Sequence, residues 1–283
     1  MQQFGTVCCW IALLWSGTTF AQTPVLRWCL DNFPGFHEFS APNLPPTGPS
    51  VVLMQQLAQR AGFTLQISDQ TPSARCFRDM QSGQTDLMSN LNYTEERAGY
   101  MVMLPYRKRL PEAVFLRADE TRPVNSVADL QALRLVSVRG FSYHPEYMQA
   151  LSARPLTERI EVASIADGLL MLTKGRGDAL IAPAASTSFL IESDEKFHFK
   201  FRKAGLTLTL NDHRFVYLGL AKNQAQWGPR LQQAIKTLQD EGIIDQLYGP
   251  REAVESDKIV QPGQQSPAAT ASSQPIQQAG DAS

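Results

Sequence analysis

An α/β fold is predicted by three features of the sequence. Short apolar runs alternate with amphipathic stretches from Val25 onward, capping residues and glycine stops fall between them, and the rhythm restarts near Val114. This alternation predicts a mostly parallel sheet. With 283 residues, 43% hydrophobic and 19% charged, the chain has the composition of an ordinary globular protein and can bury a sizeable core.

Val25 to Leu30 reads as the first strand. After a proline-rich loop, Pro49 opens a helix whose apolar positions are Val52, Leu53, Leu57 and Ala61, with Gly62 as its stop. Phe63, Leu65 and Ile67 alternate as a half-buried strand. Thr71 and Pro72 read as a cap and first helical residue, and that helix ends at Gly83. Asp86 to Leu91 forms the next strand, and Thr94 caps a short helical turn.

In the second block, Ser126 and Asp129 resemble a capping box, and Leu135 to Val138 is a strand running into Arg139-Gly140 before a further helix. Ile160 to Ala163 is a strand, Ser164 caps a helix reaching Lys174, Gly175 stops it, and Ala179 to Ile181 is a strand. Phe197 to Phe201 and Leu206 to Leu210 are further strand candidates. Phe215 to Leu220 leads into a last amphipathic helix with Trp227, Leu231, Ile235 and Leu238 on one face, ending near Gly242.

The chain ends carry different signals. The apolar stretch from Val7 to Trp15, followed by Thr19-Phe20-Ala21, reads as an export leader (1–21) cleaved after Ala21, although no Lys or Arg precedes it; a buried first helix is the alternative. That stretch is too short to span a bilayer and no later run reaches about 18 apolar residues, so the mature protein is expected to be soluble. Beyond Pro250, residues 251–283 are rich in Gln, Ser, Ala and Pro and are expected to be disordered, since they bury too little apolar surface to offset their ordering entropy.

Cys8 and Cys9 fall in the leader, leaving Cys29 and Cys76. An even pair in an exported chain suggests one disulfide, and two buried free thiols are the alternative. His37, His144, His198 and His213 are too scattered to predict a metal site, and no cofactor is expected. A formal charge of -1, from 26 basic and 27 acidic residues, offers no field for a polyanion, which argues against nucleic acid as a partner. Arg176-Gly177-Asp178 follows a helix stop and precedes a buried-type strand, so it reads as structural.

Five stretches, in order, carry a resemblance: "LRWCLDNFPGF", "GPSVVLMQQLAQRAGFTLQI", "MQSGQTDLMSNLNYTEER", "LLMLTKGRGDALIA" and "LQQAIKTLQDEGIIDQLYG". Together they make residues Val25 to Tyr248 similar to the family 3 extracellular solute-binding proteins, the periplasmic receptors of polar amino-acid importers. The resemblance implies the type II periplasmic-binding-protein fold, two α/β lobes joined by two hinge strands with the ligand enclosed between them. It places lobe 1 at 22–113 and 214–250 and lobe 2 at 114–213, with crossings near Val114 to Leu116 and Asn211 to Arg214. It also implies a periplasmic location, a membrane permease as partner and a monomer.

Arg97, in the motif Thr94-Glu95-Glu96-Arg97, is the first candidate for a ligand carboxylate, because a guanidinium fork matches two carboxylate oxygens. The alternative is an arginine on a solvated turn, paired with Glu95 or Glu96. Ser89, Asn90 and Asn92 stand at the preceding strand's carboxyl end, where open α/β sheets place ligands. The segment from Asp86 to Arg97 is one residue shorter than in many members of the family. Ser142, in the Arg139-Gly140-Phe141-Ser142 turn, is placed to cap a negative group at a helix start, and a plain strand-to-helix turn is the alternative. Asp31, Phe33 and Phe36 lie where relatives present an acid and an aromatic wall, and Phe33 or Phe36 is alternatively core.

Relatives that bind α-amino acids usually carry an acid after the "GRxDA" strand; here the stretch is Ala182-Pro183-Ala184. Either Asp31 supplies the counter-charge or the ligand has no α-ammonium group. The resemblance favours a binding function over catalysis. An enzyme resembling cyclohexadienyl dehydratase is one alternative, though Asp31, His37 and His144 have no evident catalytic partner. A ligand-sensing module is another.

Overall fold

A computed structural model describes residues 23–41, 44–208 and 215–249. The leader, the tail and the crossing at Asn211 to Arg214 lie outside the described residues. The strands are β1 (Val25–Trp28), β2 (Thr64–Ile67), β3 (Leu87–Leu91), β4 (Met101–Lys108), β5 (Glu112–Arg117), β6 (Leu135–Val138), β7 (Ile160–Val162), β8 (Ala179–Pro183), β9 (Phe201–Lys203) and β10 (Phe215–Ala221). The helices are α1 (Pro49–Ala61), α2 (Ser73–Gln81), α3 (Glu95–Tyr100), α4 (Pro145–Ser152), α5 (Ile165–Thr173), α6 (Ala184–Ser193), α7 (Gly228–Asp240) and α8 (Ile243–Tyr248).

Two five-stranded sheets form two lobes, in the orders β2-β1-β3-β10-β4 and β7-β6-β8-β5-β9. The expectation of a mostly parallel sheet is corrected to two mixed sheets. In each, a central strand pairs in parallel with its neighbours (β1 with β2 and β3, β6 with β7 and β8), and antiparallel strands complete the sheet. The antiparallel strands β4, β10 and β5 adjoin the passages between lobes. The chain leaves the first sheet after Lys108 and enters the second at Glu112. Val114 to Leu116, where the first crossing is expected, are already paired with β8 in the second sheet, so the passage lies at 109–111.

The lobes repeat one local device. Gly83-Gln84-Thr85-Asp86 and Gly175-Arg176-Gly177-Asp178 each place an aspartate immediately before a parallel strand. Asp86 accepts from the backbone N–H of Arg27 (2.8 Å) and from its Nε (3.0 Å); Asp178 accepts from the N–H of Arg134 (2.8 Å) and from its Nε (3.1 Å). Each aspartate thus satisfies a backbone donor and a guanidinium at once, fixing the register of two strands. The Arg-Gly-Asp triplet therefore has the structural role expected of it.

Both sheets are covered on both faces, as parallel strands require. In the first lobe Trp28, Leu53, Leu57, Leu218 and Leu231 fill one face, while Cys29, Cys76, Met80, Met88 and Met101 fill the other. Cys29 and Cys76 are joined as a disulfide with Cα atoms 5.6 Å apart. In the second lobe alternation along β5 and β8 sends Phe115, Leu180 and Ala182 to one core, and Val114, Leu116, Ala179 and Ile181 to the other.

Helix signals hold at α1, α3, α5 and α7. Gly62 ends α1 in the left-handed conformation, Thr94 Oγ1 accepts from Arg97 N at 3.1 Å, and Ser164 Oγ accepts from Asp167 N at 3.1 Å. Thr71 does not cap α2: its hydroxyl donates to the carbonyl of Asp69, and Pro72 precedes the helix without a side-chain cap. Asp129 does reach back to the N–H groups of Asn125 and Ser126, but the segment it starts is a 3-10 turn over Ala128–Ala132. Phe197 to Phe201 is not a strand. Phe199 has φ 59° and is 84% exposed, breaking the extended backbone so that β9 begins only at Phe201. Residues 206–208 pack beside Val124 without strand pairing, and 209–210 lie outside the described residues. Strand β4 and helix α6 are not assigned by the sequence pattern.

Candidate functional site

Two backbone irregularities flanking β10 build the site. Pairing of β10 with β3 shifts between Tyr217 and Gly219, opposite Ser89 and Asn90, where Asn90 takes φ 58°. Pairing with β4 shifts between Val216 and Tyr217, leaving Tyr106 as an extra residue on the edge strand. Such bulges turn a strand and re-aim its side chains. Here they bring Asn90, Tyr106 and Arg107 together: Asn90 Oδ1 accepts from the Tyr106 hydroxyl at 2.8 Å and from Arg107 at 3.0 Å. The Asn90 amide donates to Ser50 Oγ at 2.9 Å, and Tyr248 donates to the same oxygen at 3.1 Å. Burial raises the Tyr248 phenol well above its ordinary value.

A cavity of about 100 Å³ lies between the lobes. All eight sequence-predicted residues, Asp31, Phe33, Phe36, Ser89, Asn90, Asn92, Arg97 and Ser142, line it. Arg97 is buried, and its guanidinium donates to the carbonyls of Asn92 (2.6 Å) and Gly140 (2.8 Å) while lying 4.4 Å from the Phe77 ring centroid. Its fork therefore bridges the two lobes and is not paired with Glu95 or Glu96. Desolvation is the main cause that pulls its pKa down to about 10, so it remains a cation at neutral pH.

Asn92 reaches across the same gap, donating to the carbonyl of Ser142 at 2.6 Å and to Glu112 at 3.4 Å. Ser142 thus meets the opposite lobe through its backbone. Helix α4, at whose start Ser142 was expected to meet a negative group, begins three residues later with His144 as its N-cap. The turn approaches α2 closely at Gly140, which has φ 84°; a Cβ there would lie 3.1 Å from Ala74 N. Only glycine suits both constraints.

Asp31 accepts from the Ser73 hydroxyl and contacts His37 Nε2 at 3.2 Å. The other ring nitrogen of His37 meets the Asn90 amide at 3.4 Å. Phe33 and Phe36 stack with centroids 4.9 Å apart, and Phe33 meets Phe141 of the second lobe edge-on at 6.0 Å. Both rings belong to the second lobe's hydrophobic core while lining the cavity. Ser186 Oγ, fully buried, adds another bridge by donating to the Pro34 carbonyl at 2.8 Å.

Sequence reasoning missed Arg107, Arg109 and Glu112. The signal was present in Tyr106-Arg107-Lys108-Arg109, where i, i+2 spacing puts two arginines on one face of extended chain. Arg109 pairs with Glu112, their side chains only 7% and 4% exposed. Arg107 lies over the rings of Phe36 (5.0 Å) and Tyr248 (4.8 Å). Among the described residues the cavity is lined by three guanidinium groups and two carboxylates. It can hold a small anion between apolar walls.

Solved structures of the same fold include a histidine kinase sensor domain with similarity to periplasmic binding proteins (18% identity, 80% of this chain and 94% of that chain, TM-score 0.68). An ancestral arginine-binding protein bound to glutamine is similar at 16% identity over 81% of this chain and 97% of that one, with a TM-score of 0.68. An arginine transport system periplasmic binding protein from Legionella pneumophila matches at 18% identity, covering 80% and 98% of the two chains, with a TM-score of 0.67. No curated protein matches the chain. These identities establish the two-lobed fold alone, whereas the model of one family matches residues 26–250. The chain belongs to the bacterial extracellular solute-binding proteins, family 3.

Proposed function

We propose that this protein is the substrate-binding component of an ABC-type importer, capturing an amino acid or related small carboxylate by closure of its two lobes. The observation that carries this reading is the convergence of Arg97, Arg107 and Arg109 on one cavity lined by both lobes. The Nε atoms of Arg107 and Arg109 are buried without an acceptor among the described residues, and a carboxylate supplies two anionic oxygens in the geometry of the fork. The chain is exported, loses its leader after Ala21, acts as a monomer in the periplasm and presents its closed form to a membrane permease. Its described hinge is 109–111. Binding energy realised only when both lobes touch the ligand shifts the population toward closure.

A thermal-shift screen of the chain from residue 22 onward tests this, using amino acids, their deaminated analogues, small organic acids and prephenate-like compounds, with product analysis of each hit. A stabilising carboxylate recovered unchanged is expected. Turnover would replace the binding reading with an enzymatic one. A sensing role has one supporting observation, the likeness to a histidine kinase sensor domain. Association of the liganded protein with an importer permease, or with a receptor ectodomain in its place, separates the two.

A further inference from the structure

The charge balance of the cavity extends the proposed function to the chemical class of its ligand, and rests on the cavity being the binding site. Three cations face it, Arg97, Arg107 and Arg109, against two acids, Asp31 and Glu112, among the described residues. Both acids are already engaged. Asp31 is held by Ser73 and His37, and Glu112 by Arg109 and Asn92. Arg97 is bonded to two carbonyls and Arg109 to Glu112, but the Nε atoms of Arg107 and Arg109 are buried with no acceptor among the described residues.

A ligand entering this set meets an excess of one positive charge and donors that need anionic oxygens. Carboxylate oxygens satisfy those donors. An ammonium group on the same ligand would be desolvated beside three guanidinium groups, and would have to draw an acid away from its present partners. We infer that the cleft selects small carboxylates that lack a cationic group, such as 2-oxo or 2-hydroxy acids, over the amino acids of the same skeleton.

Titration calorimetry with matched pairs tests this directly: 2-oxoglutarate and glutamate, phenylpyruvate and phenylalanine, 4-methyl-2-oxopentanoate and leucine, lactate and alanine. The tightest ligand is expected to be a deaminated acid that outbinds its amino acid by about ten-fold or more. A smaller margin, or an amino acid as the tightest ligand, overturns the inference and leaves the carboxylate-binding function standing. No binding by any member overturns both. Glu112→Gln, which keeps the side chain's shape and frees Arg109, is expected to tighten binding of the deaminated acid. Selective loss of amino-acid binding in that variant would identify Glu112 as an ammonium partner and sink the inference.

Discussion

Arg97 is held by two carbonyls from opposite lobes, over an aromatic face and away from water. Truncating it removes a cation from the cavity and unties Asn92 from Gly140. Arg97→Ala is therefore expected to weaken carboxylate binding by at least about 2 kcal/mol, measured by calorimetry; undiminished affinity would remove Arg97 from the site. Asn90 shows how far residue-level reading extends. Its position at a strand end marked it as a site candidate, but its amide is consumed by Ser50, Tyr106 and Arg107. Those partners come from two other segments, α1 and β4, and no local pattern predicts their convergence.

Between residue and lobe, the repeated aspartate clamp is the clearest element-level device. The Arg134 guanidinium and backbone N–H hold the Asp178 carboxyl down at about 2, against an ordinary value of 3.8. A depressed acid stabilises the fold above its unfolded pKa, and that contribution is lost as pH falls through the folded one. Asp178→Asn is thus expected to cost about 1–2 kcal/mol at neutral pH, discounted because Arg134 is largely solvated. The difference from the parent protein should shrink between about pH 4 and pH 2, read from denaturant unfolding at each pH. A constant difference across that window would show that the ionised pair is not the source. Element reading succeeded where a cap or stop is local, as at Thr94, Ser164 and Gly62. It failed at Phe199, whose left-handed backbone carries no glycine or asparagine signal, and at β4, whose Pro105 disguises a strand tolerated only at a sheet edge.

At the scale of the whole molecule, the lobes meet through a small set of polar bridges and the Phe33, Phe36 and Phe141 contacts. Ser186→Ala leaves the Pro34 carbonyl buried without its donor in the closed arrangement, while an open arrangement would hydrate it. The variant should favour opening by about 1 kcal/mol and lose roughly five-fold in ligand affinity. Small-angle scattering would show a larger radius of gyration at the same ligand concentration. Unchanged dimensions and affinity would mean that this bridge does not bias closure.

The α/β class and the helix ends at Gly62, Thr94 and Ser164 were readable from the sequence, because periodicity, caps and stops are local properties; the Cys29–Cys76 pair followed from cysteine count, and the eight cavity-lining positions from strand-end placement together with the family resemblance. What only the tertiary structure decided is how those positions work: the bulges beside β10, the bridges from Asn92 and Arg97 to the second lobe, and the grouping of Arg107, Arg109 and Glu112. Each depends on contacts between residues far apart in the chain, where pairing register and burial, and not local propensity, fix which side chains meet.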